Sequence, residues 1–323
     1  MENDDMGYFM ENGTFTLSLD TELIWGVVHW ARKEHEQSVL KAREIISELL
    51  ELMDKYHIPA TWAVVGHLFL DKCEIRGGRK HADMPRPNYS WLKEDWYDVD
   101  PATNLKADPL FYGKDIVEKI ISTKTKHEIG CHGFSHIIFD ERGCSAEVAD
   151  AELKKCRQLA QSFGITLSSM VFPQNSIGHL KILKENGFKC YRGPEPLWYE
   201  KYPKLVRKAV HPIDVALAVK PPVVEPIQAL PGLWNIPGSM LYLSCDGIRG
   251  MVPVSARVAK AKKGIDLALQ EKKIFHLWFH PFNIASNMQQ MLAGIEEIFS
   301  YAERKKSEGL EIKTMLGIVG GIR

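Results

Sequence analysis

The sequence predicts an α/β fold on a parallel sheet, either closed as a (β/α) barrel or opened as a doubly wound layer. Three observations predict it. Strand-like and helix-like segments alternate along most of the chain. The first strand–helix–strand unit spans roughly 50 residues, which suits a parallel crossover rather than a hairpin. Acids and histidines stand just after several predicted strands, where parallel α/β sheets gather their reactive groups.

The elements follow in order. Residues 14–19 read TFTLSL, a β-rich run that stops at Asp20. Val39, Ala42, Ile46, Leu49, Leu50 and Met53 recur at helical spacing with charge between them. Pro59 then opens a second strand, ATWAVVG, which Gly66 ends. Residues 126–131 (KHEIGC) predict a strand, 146–164 a helix, 168–172 a strand, 177–186 a helix stopped by Gly187, and 188–192 a strand. Further strands are expected at 233–236 and 274–279, with helices at 254–271 and 286–304. Met288, Met291, Leu292, Ile295, Ile298, Phe299 and Ala302 give the last helix an apolar face. Two stretches interrupt the alternation. Residues 73–112 carry Tyr89, Trp91, Trp96, Tyr97, Phe111 and Tyr112 among many charges and are expected to form a lid or substrate platform. Residues 193–232 are expected as a proline-rich connector.

Composition excludes several classes. Among 323 residues, 41 basic side chains balance 41 acidic ones, so charge attracts neither a nucleic acid nor a membrane surface. No run approaches 18 consecutive apolar residues, so no membrane-spanning segment is expected. Residues 1–13 form a polar leader without the apolar stretch of a signal peptide, and the expectation is a cytoplasmic protein. The six cysteines contain no C-x-x-C pair and read as free thiols of a reducing compartment.

Three strand-end clusters carry chemistry. In SLDTELIWG, Asp20 and Glu22 are two residues apart, so an extended chain turns both carboxylates to one side, where they repel unless a cation or a shared proton compensates. In HGFSH, His132 and His136 are four apart, a spacing at which one helical turn brings two imidazoles to one metal ion. In FHLWFHPFN, His276, Trp278 and His280 alternate onto one face; His280 stands at the strand end and His276 suits the core. Two carboxylates and three histidines are a sufficient kit for a hydrolytic metal site.

In that order of motifs, and with PATWAVVG as second strand, the chain resembles the NodB-type polysaccharide deacetylases (carbohydrate esterase family four) from Thr14 to about Met315. The D-x-E acidic pair is similar to a branch of that family. The resemblance implies a distorted (β/α) barrel with seven or eight strands. It implies a single domain over residues 14–315 with insertions at about 73–112 and 193–232, and a tail at 316–323. It also implies roles: Asp20 as catalytic base, Glu22, His132 and His136 as ligands of one divalent metal ion, zinc foremost, and His280 as general acid. The family's third motif carries an arginine, but here it reads Phe172-Pro173-Gln174-Asn175; Arg192 in CYRG is the candidate replacement. LWNIPGS offers Trp234 for the fourth motif, and Trp91, Trp96, Asn175 and Trp234 are the candidate substrate-binding residues. The implied activity is N-deacylation of an amino sugar in a nucleotide- or lipid-linked precursor. The rival readings are a deformylase or ureide-type amidase on the same fold, or a non-catalytic carbohydrate-binding relative. A phosphate-bearing substrate calls for a local basic patch, for which Arg76, Arg79, Lys80 and Arg86 are candidates.

Overall fold

β1 (Thr14–Thr21) alternates between two environments. Phe15, Leu17 and Leu19 join the large apolar core, while Thr14, Thr16, Ser18 and Asp20 take the opposite, interior face. The computed structural model describes residues 10–322. The remaining strands are β2 (Thr61–Val64), a short hairpin of β3 (Ile75–Arg76) and β4 (Arg79–Lys80), β5 (Glu128–Cys131), β6 (Ser169–Val171), β7 (Cys190–Arg192), β8 (Ile227–Leu230), β9 (Leu233–Asn235), β10 (Met240–Leu241), β11 (Ile274–Phe279) and β12 (Glu311–Ile312). A curved wall runs in the order β10-β11-β1-β2-β5-β6-β7-β9-β8. Every pairing in it is parallel except β8 with β9. Within this order β10 and β8 end the wall, and Val224 makes an antiparallel bridge to Ile274 near the seam. This is the distorted barrel expected from the motifs.

Outside the wall lie α1 (Arg32–Leu40), α2 (Ala42–Tyr56), α3 (Lys114–Ser122), α4 (Ala146–Gln161), α5 (Leu180–Glu185), α6 (Lys204–Ala216), α7 (Val254–Glu271), α8 (Met288–Lys305) and α9 (Met315–Gly320). The predicted stripe of α2 is buried through Ala42, Ile46, Leu49, Leu50 and Met53. Each such Leu or Ile contributes about 1.5–3 kcal/mol relative to exposure, which holds a helix whose other face is charged. The helix expected from residue 286 begins at Met288, because Pro281–Asn287 wind as a 3-10 segment first.

Three expectations change. The connector at 193–232 contains α6 and β8. The expected tail at 316–323 supplies most of α9, whose Met315 and Ile318 are buried against Ala63 and Ile274 on the barrel interior. Backbone N–H groups of Met315 and Leu316 donate to Thr61 Oγ1 and Glu128 Oε2, so α9 plugs the amino-terminal end. The polar leader falls outside the described residues up to position 9. The insertion at 73–112 is less a lid than a module packed inward: Tyr89, Trp96, Tyr97, Phe111 and Tyr112 are all buried, while Trp91 is 48% exposed.

Candidate active site

β1 and β7 deliver Asp20 and Arg192 to the interior at the carboxyl-terminal end. The Arg192 guanidinium grips the Asp20 carboxylate with two parallel bonds, Nη1 to Oδ1 at 2.6 Å and Nη2 to Oδ2 at 2.7 Å. Ser18 Oγ accepts from Nη1 at 3.0 Å, and Asn175 Oδ1 lies 3.4 Å from Nη2. The Trp278 ring lies 4.1 Å from the guanidinium carbon, and its indole N–H donates to Glu195 at 2.7 Å. Burial alone would raise the Asp20 pKa, but Arg192, with His280 and His132 nearby, outweighs it and holds the carboxyl below its ordinary value. Arg192, the candidate for the arginine that the third motif lacks, thus meets the Asp20 carboxylate directly.

Glu22 follows where β1 gives way to a 3-10 turn at Leu23–Gly26. Its Oε2 lies 3.1 Å from His132 Nε2 and 2.9 Å from His136 Nε2. Gly26 makes room for the Glu22 side chain: a Cβ there would run into its carboxylate. His132 Nδ1 lies 2.7 Å from the Val171 carbonyl, which can only accept, so Nδ1 carries the proton and the Nε2 lone pair faces the carboxylate. His132 Nε2, His136 Nε2 and a Glu22 oxygen thus crowd one point, each able to serve as a ligand atom. That donor set fits a divalent ion of the zinc type, with three protein ligands and further positions open. Burial opposes charge on Glu22, yet the neighbouring histidines outweigh it and hold its pKa well below the usual range.

The histidine pair is not carried on a helical turn. Residues 132–136 lie outside any helix; Gly133 (φ 73°) and His136 (φ 60°) take left-handed backbone that bends the chain back on itself. The bend is held from outside by Glu152 of α4. Its carboxylate accepts from the backbone N–H of Phe134 (2.7 Å) and Ser135 (3.0 Å), from Ser135 Oγ (2.8 Å) and from Tyr97 (3.0 Å). Sequence reasoning missed Glu152, which looks like any acid on an amphipathic helix.

His280, after β11, stands 3.6 Å from both Asp20 Oδ2 and Glu22 Oε1 and is the more accessible of the site histidines. Its Nδ1 faces the Asn283 amide at 3.3 Å, so the neighbour on that side is an amide three residues on and not an acid. His276 sits below, fully buried between Ser18 and the Pro237 carbonyl, with its pKa lowered to about 3 mainly by burial. It is a neutral core histidine, as expected.

The candidate substrate residues divide. Asn175 reaches the Arg192 end of the site. Trp91 meets Trp30 (ring centroids 6.1 Å apart), and Trp30 in turn lies 6.3 Å from the His136 ring. Trp30 is 41% exposed and was not singled out from sequence. Trp96, the other of the two tryptophans offered by the insertion for substrate, is buried: it stacks on His29 at 3.9 Å and donates to Ser135, backing the histidine bend. Trp234, expected at the site, sits lower in the wall, in register with Cys190 and packed with the interior cluster that contains α9. The tryptophan touching Arg192 is Trp278, which the period of two on β11 points inward with His276 and His280. Of the basic residues offered for a phosphate, Arg86 is spent on Asp95 and the carbonyls of Lys80, His81 and Met84, and Lys80 on carbonyls of Asp98 and Asp100.

Residues 39–191 match the family described as polysaccharide deacetylase, a span that includes His132 and His136 but neither Asp20, Glu22, Arg192 nor His280. A search of curated proteins finds no match. Among solved structures, a putative polysaccharide deacetylase from Mycobacterium smegmatis superposes with a TM-score of 0.59 at 13% identity, covering 97% of this chain and 91% of the other. A probable polysaccharide deacetylase from Pseudomonas aeruginosa PAO1 gives 0.58 at 13% identity, covering 95% and 89%. Puue allantoinase gives 0.57 at 12% identity, covering 95% and 88%. At these identities the likeness is one of fold. Among the described residues, no helix is long and apolar enough to cross a membrane.

Proposed function

We propose that this chain, which belongs to the polysaccharide deacetylase superfamily, hydrolyses the N-acyl amide of an amino sugar, with one divalent metal ion held by Glu22, His132 and His136. The observation that carries the reading is the convergence of three metal-ligating atoms beside a clamped carboxylate and a more accessible imidazole. When bound, the ion supplies Lewis acidity and lowers the pKa of a water molecule.

The chain's own groups supply the rest. Asp20 takes the proton of the attacking water. Arg192 keeps that carboxylate ionised and fixes its plane, so that it need not reorganise as the proton arrives. His280 Nε2, 3.6 Å from Asp20 and from Glu22, stands on the open side of the site and donates to the departing nitrogen, since an amine leaves poorly as an anion. Trp30 and Trp91 provide exposed ring faces near His136, suited to the apolar face of a sugar ring. The acetyl group and a nucleotide- or lipid-linked precursor belong to the same proposal; of the four basic candidates for the linked phosphate, Lys80 and Arg86 are already engaged within the insertion.

The test is a turnover panel on metal-loaded protein: N-acetyl and N-formyl amino sugars as nucleotide-linked, lipid-linked and polymeric forms, beside a cyclic ureide. Release of acyl group from an amino sugar, lost on chelation and restored by metal, is the expected result. Hydrolysis of the ureide alone, or of no amide while metal is bound, would sink the proposal.

A further inference from the structure

A second cluster of metal-ligating side chains lies across the insertion, away from the site described above. His67, in the 3-10 turn after β2 (Gly66–Phe69), meets Cys73 and His81, which flank the β3–β4 hairpin, and Asp100, which follows the 3-10 turn Trp96–Val99. His67 Nε2 is 3.1 Å from Cys73 Sγ and 2.9 Å from Asp100 Oδ2. His81 Nε2 is 3.7 Å from Cys73 Sγ and 2.6 Å from Asp100 Oδ2. One ligand atom from each of the four residues lies within 4.8 Å of all the others. Ligands at zinc distances in a tetrahedron stand about 3.3–3.6 Å apart; the shorter of these separations are hydrogen-bond contacts that an ion would open by several tenths of an ångström.

The surroundings aim these atoms inward. His67 Nδ1 faces the Phe111 carbonyl at 3.0 Å, which fixes the proton there and leaves the Nε2 lone pair on the cluster side. Asp100 Oδ1 accepts from the Ala102 N–H (2.8 Å) and from Tyr112 Oη (3.2 Å), leaving Oδ2 for the cluster. A lone pair, a carboxylate oxygen, a second imidazole and a thiol thus converge on one point, and His67 and Asp100 are fully buried.

We propose that His67, Cys73, His81 and Asp100 bind a second divalent ion, zinc by the softness of the thiolate, in a closed four-ligand structural site. Four protein ligands leave no position for water, so this ion holds structure and takes no part in hydrolysis. It ties the hairpin and the aromatic segment to the end of β2. The His67 N–H donates to the Phe134 carbonyl and the Gly66 N–H to the Gly133 carbonyl, so the clamp also backs the bend that presents His136.

Cobalt(II) substitution of the wild-type protein tests this without reference to activity. The strand-end site has no sulfur ligand, so of the two sites only the one with Cys73 gives a sulfur-to-cobalt charge-transfer band in the near ultraviolet, at one thiolate-bound cobalt per chain. The expected result is that band together with close to two metal equivalents per chain by elemental analysis. Cys73→Ser should lose the band and one equivalent, whereas His132→Ala should lose the other equivalent and keep the band. If Cys73→Ser does not fold, the wild-type spectrum still decides. No thiolate band in the cobalt-loaded wild type overturns the proposal and leaves a hydrogen-bonded His67–Asp100–His81 triad. So does a single equivalent that survives Cys73→Ser and vanishes in His132→Ala, a result that leaves the strand-end site standing.

Discussion

The two histidine–acid clusters flank the same bend, residues 132–136, and differ in what surrounds them. At the strand ends, the three residues proposed as ligands stand beside Asp20, Arg192 and His280, and the ring nearest solvent is a catalytic candidate. In the insertion, four ligand residues include a thiol, and their neighbours are the rings of Tyr97, Tyr112 and Phe134. Both use histidines turned by a carbonyl on Nδ1. On the two readings proposed above, histidines and a carboxylate alone do not separate a reactive centre from a structural one. The separation lies in coordination left over and in whether an acid–base pair faces it.

The largest expected effect comes from emptying the strand-end centre: His132→Ala should reduce turnover to background and remove one metal equivalent while the circular dichroism of the fold persists. A variant that keeps both its metal and its rate breaks the comparison. Next, Asp20→Asn and His280→Ala should each retain metal and lose about 10²–10⁴-fold in kcat, the range of acid–base roles. Wild-type kcat in either would show that the neighbours of this cluster are as inert as those of the other.

Arg192 sharpens the contrast further. Arg192→Met leaves a buried carboxylate without its partner and should cost about 3–5 kcal/mol in denaturant unfolding. The cation is what outweighs burial at Asp20, so its removal raises that pKa. The base is then protonated at higher pH, and the acidic limb of the kcat/KM profile should move upward. Arg192→Lys should retain charge but lose the two-pronged grip, with a smaller stability loss and a clear loss of rate. A gentler probe is Gly26→Ala, whose Cβ displaces the Glu22 carboxylate and should weaken metal affinity; adding Glu22→Asp, which draws the acid back, should restore it. Failure of that rescue would mean that Gly26 does not set the length of the acid. The smallest effect is expected for Trp30→Ala or Trp91→Ala, a rise of roughly 2–10-fold in KM at little cost in kcat, as for an aromatic contact worth about 0.5–1.5 kcal/mol.

The strand-end residues were legible because a period of two and a stop after each strand place side chains without further information. Asp20, Glu22, His132, His280 and Arg192 all follow that logic. The shape of HGFSH was not, since a spacing of four suits one helical turn equally well as a bend made by Gly133 and His136 in left-handed backbone. Trp96 was placed by the aromatic content of its segment and Trp234 by a motif match, and neither says which way a ring turns; Trp96 turned inward to Ser135. The insertion cluster was the least visible. Its ligands follow H-x5-C-x7-H-x18-D, a pattern with no regular element behind it, and its cysteine stands alone. Loops assemble such sites from backbone turns that depend on contacts with the rest of the molecule.

β1 precedes the other described strands in the chain, yet along Thr14–Leu19 its neighbour is β11, and β12 shares its other edge with β2. A nascent chain therefore carries its acidic pair on a strand whose edge stays bare until residues from Ile274 onward emerge. Closure over so long a separation in sequence makes for slow assembly, and a waiting strand edge is open to pairing with other chains. The same closure brings His280 to Asp20 and Glu22, so a truncated chain should lose its ability to remain dispersed and its reactive centre in one step.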